Sequence, residues 1–145
     1  MKDLAVIRLE STPVDRKGHR QVFSIGESPI TISGVQALVQ MVTIGLLSRP
    51  GSSALLPSFG VDFRGLLLRA VGGEAEHKAN AIMAISVLER QILDMQAGED
   101  MPDDERLASL EVTRIYKDVS RFVHHIRVLS AAGSAATLNT KEVFV

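Results

Sequence analysis

There is no cysteine in the 145 residues, which removes a disulfide framework, a thiolate zinc site and a cysteine nucleophile together. Tryptophan is also missing, and only 4% of residues are aromatic against 46% hydrophobic, so the core must be mainly aliphatic. Neither sign of charge dominates. Sixteen Lys and Arg stand against 17 Asp and Glu, and a net charge of -1 supplies no basic field for nucleic acid. Apolar runs are broken by Gln, Thr, Ser or Arg well short of the roughly 20 residues a membrane span needs. The opening MKDLAVIRLEST carries charges where a signal peptide has an apolar stretch. The length leads us to expect one domain over residues 1–145, α+β by the patterns that follow, and the absences a soluble one made in the cytoplasm.

What is present is organised around SGVQALVQMVTIGLLSRPGSSALLPSFG, from Ser33 to Gly60. Val35, Leu38, Val39, Val42 and Leu46 recur three and four residues apart, so they share one helical face about 100° wide that has to be buried. Ser33 is placed to cap the first amides. Pro50 stops the helix because it lacks an N–H and clashes with the preceding turn. A short helix is expected from about Phe63 to Val71, closed by Gly72-Gly73. The longest helix, about Ala75 to Ala97, buries Ala81, Ile85, Leu88, Ile92 and Met95 and stops at Gly98.

Strands flank these helices. Leu4 to Leu9 and His19 to Ile25 read as short strands ahead of the first helix. After the acidic connector Glu99 to Glu105, the period changes to two. Leu110, Val112 and Tyr116, then Phe122, Ile126 and Val128, make a hairpin about Asp118-Val119-Ser120. Ala132-Gly133-Ser134 turns into a last strand, Ala136 to Val145. That strand alternates poorly, with Leu138 and Phe144 on one face and Val143 and Val145 on the other. Its register is weakly specified, so it reads either as an edge open to another chain or as a frayed tail.

No catalytic constellation emerges. Asp103-Asp104-Glu105 lies in a connector, while Glu74, Glu76, Glu89 and Asp94 lie on a polar helix face. Such positions favour solvated carboxylates over a glycosidase pair facing across a dry cleft. His124 and His125 are adjacent in a strand and point to opposite faces, so they do not chelate one metal together. His77 has Ala81 one helical turn on, not a second ligand. No Gly-x-Ser-x-Gly elbow and no P-loop is present.

The order of these features resembles a known family. A buried helix ends in Leu47-Ser48-Arg49-Pro50-Gly51, passes through Leu56-Pro57-Ser58-Phe59-Gly60, and leads to a short helix, a long helix and terminal strands. This is similar to the small baseplate wedge and sheath-initiator proteins of contractile phage tails, a family shared with type VI secretion baseplates, over roughly Val35 to Gly133. Members carry a Ser/Thr-Pro-Gly-type turn and then a Pro-x-Phe/Tyr-Gly loop. Asp104-Glu105-Arg106-Leu107 stands where the family has Glu-Pro-Arg-Leu, but without the proline.

The resemblance implies two long helices plus a short one packed on a small, mainly antiparallel sheet, with the C-terminal strands at an edge. It implies a structural role without a cofactor. The chain would join other baseplate wedge proteins around the tail tube, in several copies in a ring, and sheath protein would polymerise on it by strand addition. Glu105 and Arg106 would meet neighbouring wedge subunits, a guanidinium being suited to bidentate bridges. The segment 136–145, with alternate residues Leu138, Thr140, Glu142 and Phe144, would meet the sheath. The place of action would be the virion tail baseplate, assembled in the host cytoplasm. The rival from another class is a phage-encoded, lysozyme-like cell-wall hydrolase, a label some members of the family have carried. A third reading is a free-standing adaptor.

Overall fold

Thirteen residues, Val35–Leu47, form the first long helix, α1, and it buries the face that the apolar spacing specifies: Leu38, Val42 and Leu46 are fully enclosed. Its start differs from expectation. Gly34, at φ 65°, is the N-cap and no side chain caps from that position, so Ser33 does not. The Gly34 N–H instead donates to Glu105 Oε1 at 3.3 Å, across 71 residues of sequence. This carboxylate satisfies an amide at the end of the helix where the dipole favours negative charge.

The computed structural model describes residues 3–4, 8–11, 21–24, 31–68, 73–119 and 121–143. Before α1 lie four short strands: β1 (Asp3–Leu4), β2 (Arg8–Ser11), β3 (Gln21–Ser24) and β4 (Thr31–Ile32). β1 pairs antiparallel with β4, and β2 antiparallel with β3. The expected first strand, Leu4 to Leu9, is thus seen at its two ends only, its middle lying outside the described residues. The later helices are α2 (Phe63–Leu68) and α3 (Glu74–Gln96). The final residues of the expected short helix, 69–71, also lie outside the described residues. Gly98, at φ 81°, follows α3 in the left-handed conformation that ends many helices.

The loop between α1 and α2 is held by side chains. Gln91 of α3 accepts from Gly60 N at 3.0 Å through Oε1 and donates to Ser58 O at 2.9 Å through Nε2. Phe59 between them is buried in the core. Gly45 of α1 sits where a Cβ would collide with Leu88, so its lack of a side chain is what lets α1 and α3 approach.

The C-terminal half is one antiparallel sheet in the order β5-β6-β7, from β5 (Leu107–Asp118), β6 (Arg121–Ser130) and β7 (Ala135–Asn139). Asp118 pairs with Arg121 across the expected turn. Ser130, Gly133 and Ser134 form the second turn: Gly133 N donates to Ser130 O, Ser130 N donates to Ser134 O, and Gly133 has φ 84°. This is a three-residue hairpin loop that needs glycine at its left-handed position. Alternate residues of β6, His124, Ile126, Val128 and Ser130, face inward. Of these, Ile126 and Val128 join Leu107, Leu110 and Leu138 in one aliphatic core against α1 and α3.

Among the described residues the chain is therefore α+β, with the helices α1 to α3 and the three-stranded antiparallel sheet as its main elements. One expectation is corrected. The last strand does not run from Ala136 to Val145: it ends at Asn139, and Thr140–Val143 make a helical turn, α4. Residues 144–145 lie outside the described residues.

Candidate functional site

The two outer strands of the sheet, β5 and β7, end differently at the level of main-chain hydrogen bonds, and the difference comes from α3. On the β5 side, Gln96 Oε1 accepts from Leu107 N at 2.8 Å and Glu89 Oε1 accepts from Leu110 N at 2.9 Å. Gln96 also donates through Nε2 to Glu105 O at 3.1 Å. Two register irregularities, between Leu107 and Ser109 and between Val112 and Arg114, bend the same strand. Side chains that occupy edge amides, and bulges that twist an edge away, both make a strand a poor template for another chain.

β7 has no such cover among the described residues. Its register against β6 pairs His125 with Asn139, Ile126 with Leu138, Arg127 with Thr137, Val128 with Ala136 and Leu129 with Ala135. In an antiparallel ladder, residues alternate between exchanging hydrogen bonds with the partner and pointing their main-chain groups away from it. Ser130 N donating to Ser134 O fixes the phase. Ala136 and Leu138 therefore bond to β6, while the N–H and C=O groups of Ala135, Thr137 and Asn139 face outward. Those three residues present an edge to which a further strand can add.

The end of β7 is tied to the interior by histidines. His124 N donates to Thr140 Oγ1 at 2.9 Å, and His124 Nδ1 lies 3.3 Å from the same hydroxyl. On its other side, His124 Nε2 is 2.9 Å from His77 Nε2, and the rings are 0% and 2% exposed. Phe122 stacks on His77 at 4.0 Å and Phe63 meets His124 edge-on at 5.1 Å. Among the described residues His77 Nδ1 is buried without a partner. A bare lone pair there costs less than a buried orphan N–H, so His77 carries its proton on Nε2 and donates to His124. His124 then carries its proton on Nδ1 and donates to Thr140. Burial, and secondarily the charge His77 can bear, push His124 down to about 4. Burial also lowers His77.

The residues singled out in the sequence fall in separate places. Leu138 is 6% exposed and packs in the chain's own core, and Thr140, 3% exposed, holds His124. Glu142 lies in α4, and Phe144 lies outside the described residues. Glu105 binds the start of α1, and Arg106 donates from Nη2 to Glu99 O at 3.1 Å. Arg106 is thus engaged within its own chain, at a connector that is itself stitched to the β6–β7 turn by Ala131 N to Arg106 O and Ala132 N to Asp103 O. The opposite orientation expected of His124 and His125 is seen: His125 lies 5.7 Å from the Tyr116 ring, away from His77.

No companion for His77 is legible in the sequence, because a local pattern shows only what lies one helical turn away and the partner is on β6. The signal available was composition. His124 interrupts an otherwise aliphatic inward face. Among the described residues no set of three His, Asp or Glu is placed to hold a metal ion, and no helix is long and apolar enough to cross a membrane. Compared with family models, with curated proteins and with solved structures, the chain matches none.

Proposed function

We propose that this chain is a structural component of a contractile-tail baseplate: it joins wedge proteins around the tail tube and starts sheath polymerisation by accepting a strand at β7. The observation that carries this reading is the unequal treatment of the two sheet edges. Gln96 and Glu89 occupy β5 amides, and among the described residues no strand lies beside the outward groups of Ala135, Thr137 and Asn139 of β7. A sheet protected at one side only adds strands in one direction, which is what a polymerisation starter needs. Ile82, Met83 and Val87 on the outer side of α3 are exposed large apolar residues and supply a second surface for neighbouring wedge subunits. Glu105 and Arg106, with the C-terminal segment, are the partner-facing candidates from the sequence. Of the β7 residues, Thr137 contributes through its main chain.

Proline at position 137 tests this. Thr137 N–H points away from β6, so Thr137→Pro removes an outward donor and keeps every internal pair of the ladder. Baseplates carrying it are expected to form without an extended sheath, when particles are imaged. Full-length contractile sheaths would overturn the reading. The rival hydrolase reading would need a catalytic carboxylate among Glu76, Glu89 and Glu105, of which Glu89 and Glu105 each accept a main-chain N–H of their own chain.

A further inference from the structure

β6 is longer than the strand that pairs with it. β6 runs Arg121–Ser130, but β7 covers it only as far as His125, leaving Arg121 to His124 without a strand on that side among the described residues. The next four residues of the chain after β7 are Thr140–Val143, wound into a helical turn beside this gap. Continuing the observed register places Thr140 opposite His124, Lys141 opposite Val123, Glu142 opposite Phe122 and Val143 opposite Arg121. The gap and the segment have the same length. The phase agrees too: in the continued ladder His124 and Phe122 turn their main-chain groups toward β7. His124 N already donates to Thr140, to its hydroxyl rather than to its carbonyl.

We infer that Thr140–Val143 is a switch segment with two seats, the helical turn seen here and an extension of β7 along Arg121–His124 of β6. A single four-residue turn has almost no helical stability of its own, because nucleation is costly and there is nothing to propagate. What holds it is Thr140 Oγ1 on His124, Lys141 N on Asn139 Oδ1 at 3.0 Å, and the exposed Lys141–Asp118 pair at 2.7 Å. Exposed pairs of this kind contribute little. Thr140 and Val143, both β-branched, favour the extended seat. In that seat the Thr140 hydroxyl is exchanged for its carbonyl, and Glu142 exchanges two main-chain bonds with Phe122. The free edge then grows from the five residues of β7 by the four of α4. The inference deepens the strand-addition reading and rests on it only for the purpose of that longer edge.

The test uses the full chain in solution, with backbone chemical shifts of residues 140–143 and hydrogen exchange of the Phe122 amide. Thr140→Val keeps the branched shape and removes the hydroxyl. Lys141→Val, at an exposed site, removes the ion pair and is safe for the fold. Thr140→Val, alone or combined with Lys141→Val, is expected to move the shifts from helical toward extended and to slow Phe122 exchange at least tenfold, whereas Lys141→Val alone, which removes only an exposed pair, moves them less. Adding Glu142→Pro should reverse this: proline is tolerated in a first helical turn but cannot donate to Phe122. A synthetic peptide of residues 135–143, added in excess to the unmodified chain, should slow Phe122 exchange in the same way. Helical shifts and unchanged Phe122 exchange in a folded chain carrying both Thr140→Val and Lys141→Val would overturn the switch. Failure of the peptide to bind, with the variants behaving as expected, would overturn strand addition and leave the switch standing.

Discussion

His77 and His124 share one hydrogen bond between their Nε2 atoms at 2.9 Å, although 47 residues separate them. Through that bond the first turn of α3 is joined to β6, and through Thr140 to the end of β7. The pair works only while neutral. A proton added to His124 sets two N–H groups against each other, and a proton on His77 Nδ1 puts an unpaired charge in a buried site.

The stability of the fold should therefore depend on pH with a definite sign. Both histidines are held below the usual value, His124 at about 4, so between about 6.5 and 4 the unfolded chain binds more protons than the folded one. The contribution is complete above the unfolded value and declines as pH falls through this window, by roughly 3 kcal/mol for His124 alone at 1.36 kcal/mol per pH unit, with His77 adding to the loss in the same direction. Urea unfolding at pH 7.5, 5.5 and 4 measures it. The double variant His77→Phe with His124→Leu should lose most of the slope, and an unchanged slope would count against the pair as its source.

Gln96 is the residue on which the covered edge depends. It is buried, accepts from Leu107 N and donates to Glu105 O. Gln96→Ala leaves a buried amide without a partner, which costs about 1–3 kcal/mol. It also frees part of the β5 edge. Denaturant midpoints should fall and light scattering should show faster self-association than in a Glu76→Ala control; equal scattering would deny Gln96 its protective role.

Gly45 should tolerate no side chain. A methyl there meets Leu88, and Phe59 Cζ is 3.1 Å away. Neither neighbour can retreat, since both are core residues. Gly45→Ala is expected to destabilise by about 1–3 kcal/mol through overpacking, despite alanine's better helix propensity. A calorimetric midpoint at or above that of the unmodified chain would show that α1 and α3 can separate without penalty.

Val119, at φ 54°, holds a β-branched side chain in the left-handed region while 93% exposed. Nothing packs on it to offset the strain. Val119→Asn, a residue that adopts this conformation more readily, should stabilise the hairpin by about 1 kcal/mol. Thermal unfolding reads the gain, and a lower midpoint would show that the valine has a use in the free chain.

Elements governed by local spacing were legible in advance. α1 ends before Arg49-Pro50-Gly51 because proline and glycine act on the backbone where they stand. Its buried stripe follows from a three-and-four periodicity. The β5–β6 hairpin follows from a period of two on either side of a short turn. The candidate edge was legible in part: a weakly alternating C-terminal strand was visible, but its end at Asn139 was not. Thr140 leaves the ladder because its hydroxyl finds His124, a partner that no local window contains.

The amino-acid order by itself determined where the chain turns, which helical faces are buried and the α+β character of the fold, since these depend on neighbours within a few residues. Only the tertiary structure decided that Glu105 binds the start of α1, that His77 meets His124, and that Gln96 and Glu89 take the Leu107 and Leu110 amides of β5 while no described residue does the same for β7. Those outcomes depend on where the unpaired donors and acceptors of distant segments come to lie once the apolar faces have packed. A hydrogen-bonding group finds its partner only after that packing has fixed the distances.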